Sequence, residues 1–144
     1  MLSCYDVAQY FLAKVDEDAG DLMSNLKLQK LMYYAQGCAL ALLDRPLFPE
    51  PLVAWVHGPV VPALYHEYKG YGAGPVPSPA TLDFSKYDQE TRDLLDEVYA
   101  VYGQFSAWKL RNMTHQEPPW YETPEGGEIS HDALRSYFTT QVQV

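Results

Sequence analysis

Three side chains in this chain are of the types that acid–base or metal chemistry requires: His57, His115 and Glu117. Histidine titrates near neutral pH, and a carboxylate beside it is the minimum for general acid–base work. Two histidines and a glutamate could equally supply three ligands to a metal. Their spacing argues against this, because it matches neither H-E-x-x-H nor a closed zinc pattern. Other reactive arrangements are also missing. There is no G-x-S-x-G, neither Cys4 nor Cys38 has a neighbouring histidine, and the Gly70 to Gly74 stretch lacks the lysine and strand context of a phosphate loop. The expectation is therefore no catalytic residue, no metal and no cofactor.

Each of these residues also has a structural role open to it. In Thr114-His115-Gln116-Glu117-Pro118-Pro119-Trp120, a histidine sits at the end of a helical pattern. There the helix dipole and free carbonyls favour it. The rigid Pro118-Pro119 pair then directs Trp120 to close the core. His66 and His131 read as surface residues. His57 lies in Ala54-Trp55-Val56-His57-Gly58-Pro59-Val60-Val61-Pro62, which is too apolar for an ordinary loop and too broken for a long helix. Something must hold this segment, whether core, ligand or partner. Trp55 and Val60 are expected to pack on the helix that carries Leu28, leaving His57 open.

The elements that position these residues follow from periodicity. Cys4, Val7, Ala8, Phe11, Leu12 and Val15 form a helical stripe from Ser3 to Val15, with Ser3 as N-cap. An acidic turn, Asp16 to Asp21 with Gly20, precedes the strongest helix. That helix is capped by Ser24 or Asn25 and carries Leu28, Leu31, Met32, Ala35, Cys38, Ala39 and Leu42 on one face. Lys27, Gln29 and Lys30 fall off that stripe. Pro46, Pro49 and Pro51 end it, and Leu52 to Val56 reads as a short strand or extended crossing segment. Pro62 suits the first turn of a helix to Lys69. The breaker-rich Gly70 to Pro79 stretch reads as an exposed loop. Further helices are expected from Asp88 to Tyr102, closed by Gly103, from Ser106 to Met113, and from Ser130 to about Thr140. The expected fold is mainly α: one compact domain over residues 1–144, a bundle of five to six helices with at most short strands around residues 52–57.

Composition narrows the partners. With 144 residues and 47% hydrophobic content, the chain can bury a core without staples. Cys4 and Cys38 sit in apolar helical patterns and read as buried free thiols. No leader pattern and no run of about 18 apolar residues is present, so a cytoplasmic protein away from membranes is expected. Ten Lys and Arg against nineteen Asp and Glu, a net charge of −9, disfavour nucleic acid, whose phosphates need clustered cations. Acid concentrates in Asp16, Glu17, Asp18 and Asp21 and again in Glu117, Glu122, Glu125, Glu128 and Asp132. Solvated loops or a surface that steers a basic partner would each account for this. Twelve tyrosines exceed what a small core easily satisfies, and Tyr and Trp are enriched where proteins grip proteins.

Three separated segments, taken together, resemble the Panacea domain family of phage-associated, GepA-like proteins. They are Leu26-Lys27-Leu28-Gln29-Lys30-Leu31-Met32-Tyr33-Tyr34-Ala35-Gln36-Gly37, Ala54 through Tyr65, and His115 through Trp120. The shared signature positions are Leu28, Lys30, Tyr33, Tyr34, Trp55, His57, Gly58, Pro59, Val60, His115, Glu117, Pro118 and Trp120. The resemblance implies a small helical antitoxin of a bacterial or phage toxin–antitoxin system, which binds and neutralises a co-encoded toxin protein. It also implies an alternative, a proteolytic adaptor that delivers the toxin to a Clp-type protease. A His/Glu-based hydrolase is the weaker alternative from the residues themselves. If the signature residues form the folding kernel, the partner-binding surface falls to the loops Tyr71 to Pro79 and Tyr121 to Glu128, with Tyr71, Tyr121 and Glu122 as candidates. Self-association is left open.

Overall fold

Helix α2, Asn25–Leu42, is buried from Leu28 to Leu40 on every side, and the rest of the chain is arranged around it. The computed structural model describes residues 1–16 and 21–142; Glu17, Asp18 and Gly20 of the expected acidic turn lie outside them. Around α2 lie α1 (Cys4–Ala13), α3 (Pro62–Tyr68), α4 (Gln89–Tyr102), α5 (Ala107–Thr114) and α7 (His131–Gln141), with α7 running most extensively along it. A short α6, Pro118–Tyr121, connects α5 to the chain leading into α7. The small antiparallel sheet has the order β2–β1–β3, with β1 Leu52–Trp55, β2 Gly58–Val60 and β3 Glu128–Ile129. The mainly α class is observed, with seven helices among the described residues where five to six were expected. The additional one is α6, a single turn inside a proline-rich stretch, where Pro118 occupies a first turn that needs no N–H from it.

Local chemistry places the helix starts where expected. Ser3, Ser24, Asp88, Ser106 and Ser130 each accept a backbone N–H bond as N-caps, and Ser3 and Asp6 form a reciprocal capping box. Two ends differ from expectation. Helix α1 stops at Ala13 because the N–H groups of Lys14 and Val15 turn to the carbonyls three residues back. For the same reason α3 ends at Tyr68 and tightens into a 3-10 turn, Lys69–Tyr71. The Gly70 to Pro79 loop is anchored in part: the Val76 N–H donates to the Met23 carbonyl at 2.8 Å, and Val76 is buried. Cys4 and Cys38 are buried free thiols, and burial pushes both up to about 12. His66 and His131 are exposed.

Two features of the packing go beyond the periodicity. Gln29 and Lys30, off the apolar stripe, are both fully buried. A helix surrounded on all sides has no solvent face to give them, so they must find partners inside. Trp55 does not pack on α2 as expected, although Val60 of the neighbouring strand is buried beside it. Along β1 burial alternates, with Leu52 and Ala54 facing the core, and strand pleating turns Trp55 to the opposite face. There its ring meets Tyr65 edge-on at 5.0 Å and His66 at 6.3 Å.

Candidate functional site

The three signature segments meet around the β1–β2 hairpin. Antiparallel pairing of Trp55 with Gly58 leaves Val56 and His57 as its turn. Gly58 stands at φ +109°, a backbone that favours glycine, and a β-carbon there would come within 2.8 Å of Lys30 Cε and 2.9 Å of Thr114 Oγ1. The outer edge of β2 has no partner strand; side chains of α2 replace one. Lys30 Nζ donates to the Pro59 carbonyl at 3.1 Å, and Gln29 Oε1 accepts from the Val61 N–H at 2.8 Å. Gln29 also donates to Asn25, which in turn donates to the Tyr65 carbonyl and ties α3 to the same node. Burial, assisted by the nearby Arg111 charge, pulls the Lys30 ammonium down to about 7.

Glu117 points inward, at the N-cap of α6. Its two carboxylate oxygens accept bonds from the Tyr33 and Tyr34 hydroxyls, each 2.9 Å, and Tyr137 of α7 bonds it as well. Burial raises its carboxyl above the usual range, against the three hydroxyls that pull the other way. The Tyr34 ring stacks on Tyr102 at 3.8 Å, and Tyr33 and Tyr34 both meet Phe138 edge-on. This carboxylate therefore clamps α2, α6 and α7 together. It is not part of an acidic surface.

His115 is the C-cap of α5. Its ring stacks on Trp120 at 4.0 Å beside the Val56 backbone, with its buried Nε2 unpartnered among the described residues, and Trp120 Nε1 donates to the Trp55 carbonyl at 2.8 Å. The stack and this bond lock the α5–α6 corner onto the hairpin. Burial lowers the His115 value, with Arg111 adding to the effect. His57 is exposed at the turn and accepts from Arg111 Nε at 3.3 Å.

The structure thus brings His57 and His115 to one hairpin but gives Glu117 to the tyrosines; no histidine is among its partners. Among the described residues, no group of three or more His, Cys, Asp or Glu is placed to hold a metal. Leu28, Lys30, Tyr33, Tyr34, Gly58, Pro59, Val60 and Glu117 are interior, and Trp55, His115, Pro118 and Trp120 are half-buried. Tyr71, Tyr121 and Glu122 are exposed. The sequence reading missed Gln29, Tyr137 and Arg111, which complete these contacts. Only a polar residue inside the i, i+3, i+4 neighbourhood of a buried stripe could have pointed to Gln29. It also missed a cavity of about 680 Å³, lined chiefly by Leu26, Trp55, Val56, His57, Val60 and Tyr65.

A mainly helical domain knotted by these three segments defines a class of protein, and the family comparison names it. Residues 28–121 match the family described as antitoxin SocA-like, Panacea domain, and the chain belongs to that family. Its sequence is 30% identical over 109 residues to Antitoxin SocA of Caulobacter vibrioides (strain NA1000 / CB15N), an alignment that takes in 68% of this chain and 58% of that protein. The chain therefore spans somewhat over half the length of this curated relative. No solved structure matches the chain. Among the described residues, no helix is long and apolar enough to cross a membrane.

Proposed function

We propose that this chain is an antitoxin: residues 1–144 act as one domain that binds a co-encoded toxin protein in the cytoplasm and neutralises it by direct contact, without catalysis. The observation that carries the reading is the family match across residues 28–121, which spans the whole hairpin and its supports. The site's chemistry agrees with it. Of the signature residues that could have been catalytic, Glu117 is spent on the tyrosines and the His115 ring is stacked on Trp120, its buried Nε2 having no hydrogen-bond partner among the described residues. What remains outward is aromatic and charged, with Tyr71, Tyr121 and Glu122 among the groups a partner would meet.

Expression of each gene adjacent to this one, alone and together with it, tests the proposal. One product should arrest growth alone, lose toxicity in the presence of this chain, and co-purify with it. The proposal fails if no neighbour is toxic, or if toxicity persists when both are made. Adding this protein to the purified toxin and a Clp-type protease separates the modes of action: unchanged degradation means blocking, and faster degradation means delivery.

A further inference from the structure

The cavity beside Trp55, about 680 Å³, lies outside the Glu117 clamp. Trp55 on β1 and Tyr65 on α3 form its aromatic wall, Leu26 on α2 and Val56 add apolar surface, and Lys69 and Glu125 also line it. Its walls are preset: the Asn25 bond to the Tyr65 carbonyl fixes α3, and the Trp120 bond to the Trp55 carbonyl fixes β1. Trp55 is shared with a second, smaller hollow of about 200 Å³, where Trp120, Tyr121 and Glu125 lie. Tyr71, next to the lining residue Gly72, is 48% exposed.

The rim beside His57 continues into a ledge on α5. The Arg111 guanidinium lies 4.5 Å from the centre of the Trp108 ring, and its Nε bonds His57. Val56 and Trp108 are 58% and 60% exposed, large apolar groups held out into water. Charge on this face is mixed: Lys69 and Glu125 both line the groove. Among the described residues, Lys14, Arg45, Lys86 and Arg135 each have a carboxylate within ion-pair distance, whereas Lys27, Lys30, Lys69, Arg92, Lys109 and Arg111 have none. Of these, Lys69 lines the groove and Arg111 stands at its rim, bonded to the lining residue His57. Arg111 donates from Nε to His57 and from Nη1 to Asn112 Oδ1 at 3.0 Å, which leaves Nη2 to meet a carboxylate, and the stacked tryptophan holds the guanidinium in place.

We infer that the Trp55 groove and the Arg111–Trp108 ledge form the docking site for a segment of the partner protein that carries an apolar or aromatic side chain next to a carboxylate. The apolar group enters the groove and the carboxylate meets Arg111. A small ligand filling the groove would touch Val56, which lines it, but would leave Trp108 in water, since such ligands are covered by concave walls; a protein segment covers the ledge as well. The residue types are those that dominate binding energy at protein interfaces, tryptophan, tyrosine and arginine. This assignment rests on the antitoxin reading for the identity of the partner, and on the groove alone for its chemistry.

The test measures binding of the purified chain to the toxic adjacent gene product by calorimetry, with Arg111→Glu, Trp108→Ala and Val56→Asp, and with Tyr5→Ala on α1 as a remote control. Each variant is first shown to keep the wild-type circular dichroism and melting temperature. Arg111→Glu and Trp108→Ala are expected to weaken binding by about tenfold or more, Arg111→Lys by less, and Tyr5→Ala not at all. Folded Arg111→Glu and Trp108→Ala proteins that bind within about twofold of wild type overturn the inference. A probe that needs no toxin is the apolar anion anilinonaphthalene sulfonate, expected to bind the native chain at one site and to be weakened about fivefold by Arg111→Glu. Dye binding that Arg111→Glu leaves unchanged overturns the groove's assignment. A chain that binds the dye as expected but none of the neighbouring products overturns the antitoxin reading and leaves the groove's chemistry standing.

Discussion

Glu117 and Lys30 are opposite charges buried about the same helix, and each is held by polar groups that are themselves uncharged. Removing the carboxylate with Glu117→Ala leaves the Tyr33, Tyr34 and Tyr137 hydroxyls without their acceptor inside the core. The expected cost is about 3 kcal/mol in urea unfolding, because each orphaned buried hydroxyl carries its own desolvation penalty. The pH dependence has a definite sign. The folded Glu117 value lies above the unfolded one of 4.5, so its contribution is fully present below pH 4.5 and is lost as pH rises through the folded value. Wild type should therefore lose stability relative to Glu117→Gln over that window, read from urea midpoints at a series of pH values. Lys30 titrates the other way. Its folded value is about 7 against 10.5 unfolded, so between those values the unfolded chain holds a proton that the native chain does not, and stability rises with pH. Lys30→Met should abolish that rise, and the same series of unfolding curves checks it.

At the scale of elements, two glycines set how closely things approach. Gly37 on α2 faces α7, where a β-carbon would come within 2.2 Å of the Phe138 ring. Gly37→Ala gains about 1 kcal/mol of helix propensity, but the ring is buried against Tyr33, Tyr34 and Tyr137 and cannot retreat freely. Overlap should win. A net loss of about 2 kcal/mol is expected, together with faster hydrogen exchange in α7, and Gly37→Ala/Phe138→Leu should recover part of it. Gly58→Ala faces both an unfavourable φ and the Lys30 side chain. It should cost about 2 kcal/mol in thermal or urea unfolding and loosen the hairpin that carries Val56 and His57. In both cases the sequence showed a glycine within or beside a motif, but the facing residue lay some hundred or thirty positions away, beyond the reach of any local rule.

For the molecule as a whole, the proposed function makes stability depend on a partner. A toxin that binds only the folded chain should stabilise it by about 2.7 kcal/mol at a hundredfold excess over its Kd, and raise its melting temperature accordingly. An unchanged melting temperature at saturating toxin would contradict direct neutralisation of the folded chain. The net charge of −9 adds a kinetic component. Association with a basic toxin surface should slow as salt is raised, while dissociation, governed by the anchors around Trp55, should change less.

Several features were legible in the residues alone because their causes are local. Serines three residues before a helical amide cap it, apolar residues at spacings of three and four mark a buried face, and prolines stop helices or start them. Those rules located α1, α2, α3, α4, α5 and α7 to within a few residues, and the three motifs indicated the family. Long-range packing determined the rest. Nothing in the spacing of Glu117 says that its carboxylate faces Tyr33 and Tyr34 and not His115, because that choice depends on α6 crossing α2 eighty residues away in sequence. Gln29 and Lys30 find partners in the interior because, among the described residues, the outer edge of β2 has no partner strand and these α2 side chains bond it instead. Trp55 leaves the core because strand pleating gives that side to Leu52 and Ala54, and by turning outward it becomes the wall of a groove that no segment of the sequence contains by itself.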